Sequence, residues 1–267
     1  MTLGGLLIVG DRFKGFAADK PNVVTVSEFR RLAHDGKIAN GTHVLIGQGV
    51  GHDSFEGVIA KLQRHHISVV VGNPDQIVDQ VDYEHQSTVH KTNPENILIS
   101  RPRDRGDGTF ISWLSIQDQN ELLLDHVTGQ HIQGMILTEA ARQMFLSVSE
   151  HYLLESEQRG KCYFVINSLN TQFLRFAFPT PTSVIFRTET EERRSGKSLR
   201  VKCTIEFYQA HEVDQCVASV ITDYTAFDAS YIAQKEAVNA ISTLAIIKGA
   251  VVSAASPVIV QVPSVAG

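Results

Sequence analysis

The stretch DHVTGQHIQGMILTEAARQ, Asp125 to Gln143, decides the fold. It opens as a polar loop that contains Gly129 and Gly134. Its second half, carried on to about Glu157, places Met135, Ile136, Ala140, Met144, Phe145 and Val148 at steps of three and four residues. That spacing predicts one long helix from about Gln133 to Glu157 with an apolar face to bury. Outward from it the chain reads as strands. On the N-terminal side NILIS and TFISWLSI flank the turn RPRDRGDG. On the C-terminal side comes CYFVINSL, then SVIFRTET and SLRVKCTIEF about a turn signalled by Ser195-Gly196, then QCVASVITDYTAF. Leu199, Val201, Cys203, Ile205 and Phe207 alternate strictly, so one face of that strand is apolar. Cys203 is expected there as a small buried residue rather than a nucleophile.

Two strands, one long helix and four strands make an antiparallel sheet wrapped around a single helix. This is an α+β layer known as the hotdog architecture. Residues 1–84 have a different rhythm. LLIVGD, HVLIGQG and SVVVGN are short apolar runs, and VSEFRRLAHDG and DSFEGVIAKLQRHH have helical spacing. Asp53 or Ser54 is the expected N-cap of the second helix. The pattern β-α-β-α-β predicts a small, three-stranded, Rossmann-like parallel sheet. The run Gly47 to Gly51, GQGVG, follows its second strand. It lacks the G-x-G-x-x-G spacing of a dinucleotide loop, so it is taken as a flexible βα turn and no nucleotide cofactor is assigned. A polar segment from Asn73 to Ser87 marks the boundary. The expected organisation is an α/β domain at 1–84, a hotdog domain at 85–235 and a C-terminal tail at 236–267.

The whole chain has 267 residues, 43% hydrophobic and 20% charged, the composition of a soluble globular protein. Its net charge of −5 argues against a general nucleic-acid binder. The longest apolar tract, Ile241 to Gly267, is broken by Lys248 and Pro257, so no membrane span is expected. Cys162, Cys203 and Cys216 lack C-x-x-C spacing. That count suits a reducing cytoplasm and disfavours a disulfide scaffold or a zinc ribbon. No metal site is expected.

Chemistry concentrates around the long helix. His126 and His131 lie in the loop before it and Glu139 on its first turns, an imidazole–carboxylate combination suited to acid–base work. Arg142 and Gln143, three and four residues on, share the face of Glu139. Amides near Gly134 and Met135 at the helix start can polarise a carbonyl oxygen. Val89-His90-Lys91 is read as the opening of a strand, and Arg101 and Arg103 belong to the basic turn.

The spacings H-x-x-G and G-x-x-x-x-E, His126 to Gly129 and Gly134 to Glu139, resemble the active-site segment of hotdog-fold hydroxyacyl-carrier-protein dehydratases. A closer resemblance is to the A-factor biosynthesis (AfsA-type) hotdog family. It rests on Val89-His90-Lys91 followed by ENILIS, on the whole block from Asp125 to Gln143, and on TQFLRFAFPTPT after it. The likeness covers about residues 88–230. It implies an enzyme of γ-butyrolactone or butenolide-type small-molecule biosynthesis. Such an enzyme transfers a β-ketoacyl group from acyl carrier protein or CoA to a hydroxyl acceptor such as dihydroxyacetone phosphate. The phosphopantetheine arm would arrive with the donor, so no resident cofactor is implied. Glu139 or His126 would be the base, with His131 beside them. Arg142, Gln143, Gly129, Gly134, Met135, His90, Lys91, Arg101 and Arg103 would bind substrate. Dehydration or cyclising release of a carrier-bound chain is an alternative, and a non-catalytic binding or assembly module is another. Relatives of this type often carry two hotdog repeats and this chain shows one, so a homodimer is expected to complete the site and cover the sheet edge.

Overall fold

The computed structural model describes residues 5–71, 83–125, 127, 129–194, 198–209 and 216–253. The N-terminal unit runs β1 (Leu6–Val9), α1 (Lys14–Ala17), β2 (Val23–Thr25), α2 (Val26–His34), β3 (Thr42–Ile46), α3 (His52–Arg64) and β4 (Val69–Val71). The strands form one parallel sheet in the order β2-β1-β3-β4. The sheet therefore has four strands, not three. The extra one, β2, is three residues long and ends in the N-cap of α2. Thr25 accepts from the Glu28 amide and Glu28 reaches back to Thr25, a capping box that stops the strand and starts the helix. Helix α3 starts at His52 with Gly51 in the cap position, which corrects the caps expected at Asp53 or Ser54. Leu6, Ile8, Phe29, Val44, Val58 and Leu62 make this unit's own core.

The second unit runs β5 (Arg103–Asp104), β6 (Thr109–Trp113), α4 (Glu121–Leu124), α5 (Gly134–Val148), β7 (Cys162–Phe173), β8 (Thr182–Arg194), β9 (Ser198–Gln209), β10 (Cys216–Asp228) and α6 (Ala229–Ser253). Six antiparallel strands in the order β5-β6-β8-β9-β10-β7 curve over α5. The expected α+β hotdog layer is present. The long helix ends at Val148 and is prolonged by a π-turn, Ser149–Leu153. Ile136, Ala140, Met144 and Phe145 of α5 are buried against Phe186, Val201, Ile205 and Tyr224 of the sheet. Cys203 is buried among them, and burial pushes its thiol far above the ordinary range.

NILIS is not a ladder strand: Ile99 and Ser100 make single bridges to Leu114 and Tyr83. The segment expected as tail carries α6, which begins before residue 236. The Asn73–Asp82 part of the expected linker, the Ser195-Gly196 turn and everything beyond Ser253 lie outside the described residues. Among the described residues no helix is long and apolar enough to cross a membrane. No group of His, Cys, Asp or Glu there could hold a metal ion.

The two units share a seam. Val9, Phe13, Phe16 and Ala17 join the hotdog core, and the rings of Phe16 and Phe178 stack at 5.4 Å. The GQGVG run is the keystone of this seam, not a loose turn. Gln48 is buried; its side chain donates to the carbonyls of Leu114 and Thr180 and accepts from the Ile116 amide at 2.9 Å. A Cβ on Gly47 would collide with the carbonyl of Pro179, so only glycine allows the two backbones to meet.

Candidate functional site

Helix α5 carries Glu139 partly buried, on the face it shares with Arg142 and Gln143. A carboxylate there must be compensated. Its Oε1 accepts from Lys91 Nζ at 2.8 Å, Arg142 Nη2 at 2.9 Å and Gln143 Nε2 at 3.1 Å. Its Oε2 accepts from Arg142 Nε at 2.8 Å. The i,i+3 spacing makes the two-toothed Arg142 clamp possible. Burial pushes the Glu139 pKa up, but the hydrogen bonds and charge of Arg142, with Lys91 and Gln143, outweigh it. The carboxyl is held below its ordinary 4.5 and is ionised at neutral pH.

Lys91 reaches Glu139 from the turn Val89-His90-Lys91, which is not the opening of a strand. His90 takes a positive φ of 54°, and the Lys91 amide donates to the Gln86 carbonyl at 2.8 Å. The carbonyl of buried Val89 accepts from Arg142 Nη2 at 3.1 Å, tying this turn to the helix. The His90 ring lies edge-on to Phe164 at 5.7 Å. Burial and then the Arg142 charge lower its pKa, so it is neutral at pH 7.

Glu139 opens onto a cavity of about 380 Å³ lined by Lys91, Arg142, Met135, Thr138, Ile166 and Leu169, and also by Asn96, Asn120 and Glu121. Ile166 and Leu169 are three apart on β7, so strict alternation would put them on opposite faces. The pairing with β10 slips at Asn167, between the Ser168–Asp223 and Ile166–Tyr224 partners, and this bulge brings both onto the cavity. The start of α5 forms one end of the site. The N–H groups of Gly134 and Met135 have no acceptor within the helix. The cap residue, Gln133, spends its side chain on the carbonyl of Leu122 rather than on those amides. A Cβ on Gly134 would lie 2.5 Å from the Phe173 ring, so glycine is what lets β7 cross the helix start.

The structure thus gathers Glu139, Arg142, Lys91 and Met135 at the cavity, with His90 next to Lys91 in its turn and Gly134 packed under Phe173 at the helix start. Other expected residues serve elsewhere. Gln143 is 0% exposed and fully spent: it accepts from the Leu98 amide and donates to the Asn96 carbonyl, both at 2.8 Å. It positions Glu139 and does not reach the cavity. Gly129 packs against the α/β unit, its carbonyl accepting from the Phe16 amide; a Cβ there would meet the Arg12 carbonyl at 2.7 Å. His131 sets its ring against Phe176 at 5.1 Å and is not on the cavity wall. The turn that carries Arg101 and Arg103 joins the far end of α5, where Tyr152 donates to the Pro102 carbonyl at 2.7 Å. The helical rise from Glu139 to Tyr152 puts that contact roughly 20 Å from Glu139. His126 lies outside the described residues.

Asn96, Asn120, Thr138, Ile166 and Leu169 join the cavity without having stood out in the sequence. Asn120 had a usable signal. It precedes Glu121-Leu-Leu-Leu124 as an N-cap, accepting from the Leu122 and Leu123 amides, and it donates to the Glu95 carbonyl.

No curated protein matches the chain. Among solved structures, conserved protein PA5202 from Pseudomonas aeruginosa is 18% identical at a TM-score of 0.31, with 47% of this chain and 86% of that one covered. A point mutant of thioesterase PA1618 from the same organism is 10% identical at a TM-score of 0.38, covering 57% and 96%. The BH2602 protein from Bacillus halodurans, solved with CoA, is 16% identical at a TM-score of 0.31, covering 48% and 74%. Likenesses this slight carry no weight for substrate or mechanism. The family model for the A-factor biosynthesis hotdog domain matches residues 75–228, more than half of the chain, and the protein belongs to that family, AfsA.

Proposed function

We propose that the protein transfers an acyl group, of β-ketoacyl type, from a pantetheine thioester on acyl carrier protein or CoA to a hydroxyl of a small phosphorylated acceptor such as dihydroxyacetone phosphate. The observation that carries this reading is an ionised Glu139 on the wall of a cavity, beside two cations and close to the start of its helix. Family membership supports the thioester chemistry.

In the proposed step Glu139 takes the hydroxyl proton of the acceptor, and the oxygen attacks the thioester carbonyl. The amides at Gly134 and Met135 donate to the oxyanion of the tetrahedral intermediate. The carbon–sulfur bond then breaks, and the thiolate leaves with the proton from Glu139. Ile166, Leu169 and Met135 supply apolar wall for the acyl chain. Lys91 has a second role, since its ammonium can turn to the acceptor's phosphate. A carboxylate clamped by two cations is a weak base. An acceptor phosphate that draws Lys91 away would raise the basicity of Glu139 only when the acceptor is bound.

A homodimer is part of the proposal. Strand β7 is an edge of twelve residues with Tyr163, Ile166 and Phe173 exposed, which a second copy would cover. A single-chain mass by light scattering at micromolar concentration would contradict it. The catalytic reading is tested by turnover of a β-ketoacyl thioester with acceptor. Glu139→Gln should lose about 100-fold or more in kcat; a rate close to wild type would remove Glu139 from the mechanism.

A further inference from the structure

We propose a second binding site, for a phosphate-bearing small molecule of nucleotide size, in the crevice between the α/β sheet and the loop that leads into α5. It is separate from the cavity at Glu139 and does not depend on the proposed acyl transfer.

The position follows from topology. The chain passes from β1 outward to β2, then returns to place β3 on the other side of β1. The order of connection therefore reverses between β1 and β3. In open parallel sheets, ligands lodge beyond the carboxyl ends of the strands at such a reversal. A cavity of about 650 Å³ occupies this place, the size of a small-molecule site. Its walls are the segment after β1, Gly49 after β3, and Val127, Gly129 and Gln130 of the loop before α5.

The lining is cationic on balance. Arg12, Lys14 and Arg30 face two acids, Asp11 and Asp118. Asp11 already has work within the fold. Asp11 accepts from the Ser27 amide at 3.0 Å and the Ser27 hydroxyl at 2.6 Å, at the start of α2. The Asp118 carboxylate lies against Gly51 at the start of α3, so close that a Cβ there would come within 2.5 Å of Oδ1. That contact also explains why the GQGVG run is not itself a phosphate loop: a carboxylate of the chain sits at the helix start where a phosphate would bind. Arg12 and Lys14 make no ion pair among the described residues, and both line this cavity. A phosphate would satisfy both, and Gln119 offers a neutral partner for the rest of such a ligand.

The test is calorimetric titration of the full chain with ADP, with inorganic phosphate as competitor. Arg12 and Lys14 are exposed, so Arg12→Gln/Lys14→Gln should fold normally, which circular dichroism checks. Saturable ADP binding is expected in the wild type, displaced by phosphate and weakened at least about 10-fold in the double variant. Arg30→Gln should weaken it in the same direction. Absence of saturable binding overturns the proposal, as does binding that survives the double variant. Loss of ADP binding in Lys91→Met instead would locate the phosphate at the Glu139 cavity and overturn it equally, without touching the acyl-transfer reading.

Discussion

Glu139 has four donor contacts from three side chains, and this sets its pH behaviour. A carboxyl whose folded pKa lies below its unfolded value stabilises the fold above the unfolded value. That contribution fades as pH falls through the folded pKa. The Glu139 share of stability is therefore complete above about pH 5 and is lost below its ordinary 4.5. Glu84 acts in the same sense. Burial opposes its ionisation, but His151, Ser147 and the His85 amide outweigh that and hold it charged. The same low value fixes the kinetics. The acid limb of kcat/KM, which reports the free enzyme, should lie below 4.5, while the limb of kcat should move upward once an acceptor phosphate engages Lys91. Parallel limbs for the two parameters would show that the acceptor leaves the Lys91–Glu139 pair intact.

At the scale of elements, Gln143 pins the segment Asn96–Leu98 to α5 through two backbone groups. Gln143→Leu would strand the buried Leu98 amide and the half-buried Asn96 carbonyl. The expected loss is about 3 kcal/mol, read from the midpoint of urea unfolding; a loss under about 0.5 kcal/mol would mean that these groups find other partners. The helix itself is legible in the sequence because Ile136, Ala140 and Met144 keep a four-residue step, and the face shared by Glu139 and Arg142 follows from their spacing. Helical spacing says which residues lie together, not what they meet. It therefore groups Gln143 with the substrate-binding residues, whereas Gln143 belongs to the scaffold. Ile166 and Leu169 are hidden for a different reason: a bulge at Asn167 breaks the two-residue period from which strand faces are read. Strand β2 escapes because three residues show no period at all. The approach of Lys91 to Glu139 spans 48 positions of sequence, and no local pattern encodes it; only the family resemblance puts the two in one site.

For the whole molecule, the decisive feature is the seam. Gln48 threads the hotdog unit with three hydrogen bonds, and Phe13 and Phe16 are buried in its core. The two units are thus joined by side-chain contacts as well as by the chain between them. Gln48→Leu should therefore split a single cooperative urea transition into two, the α/β unit melting first, because the lost bonds are those that couple the units. An unchanged single transition would mean that the apolar contacts alone suffice. The seam also fixes the loop before α5, since the Gly129 carbonyl is held by the Phe16 amide. The α/β unit thus sets where the helix start presents its amides. The most direct test of the central proposal is to incubate the protein with a β-ketoacyl carrier protein, with and without dihydroxyacetone phosphate, and to weigh the products. Acyl transfer predicts an ester of the acceptor and free carrier thiol only when acceptor is present, and neither with Glu139→Gln. Carrier thiol released at the same rate without acceptor, or a dehydrated acyl chain still on the carrier, would contradict it.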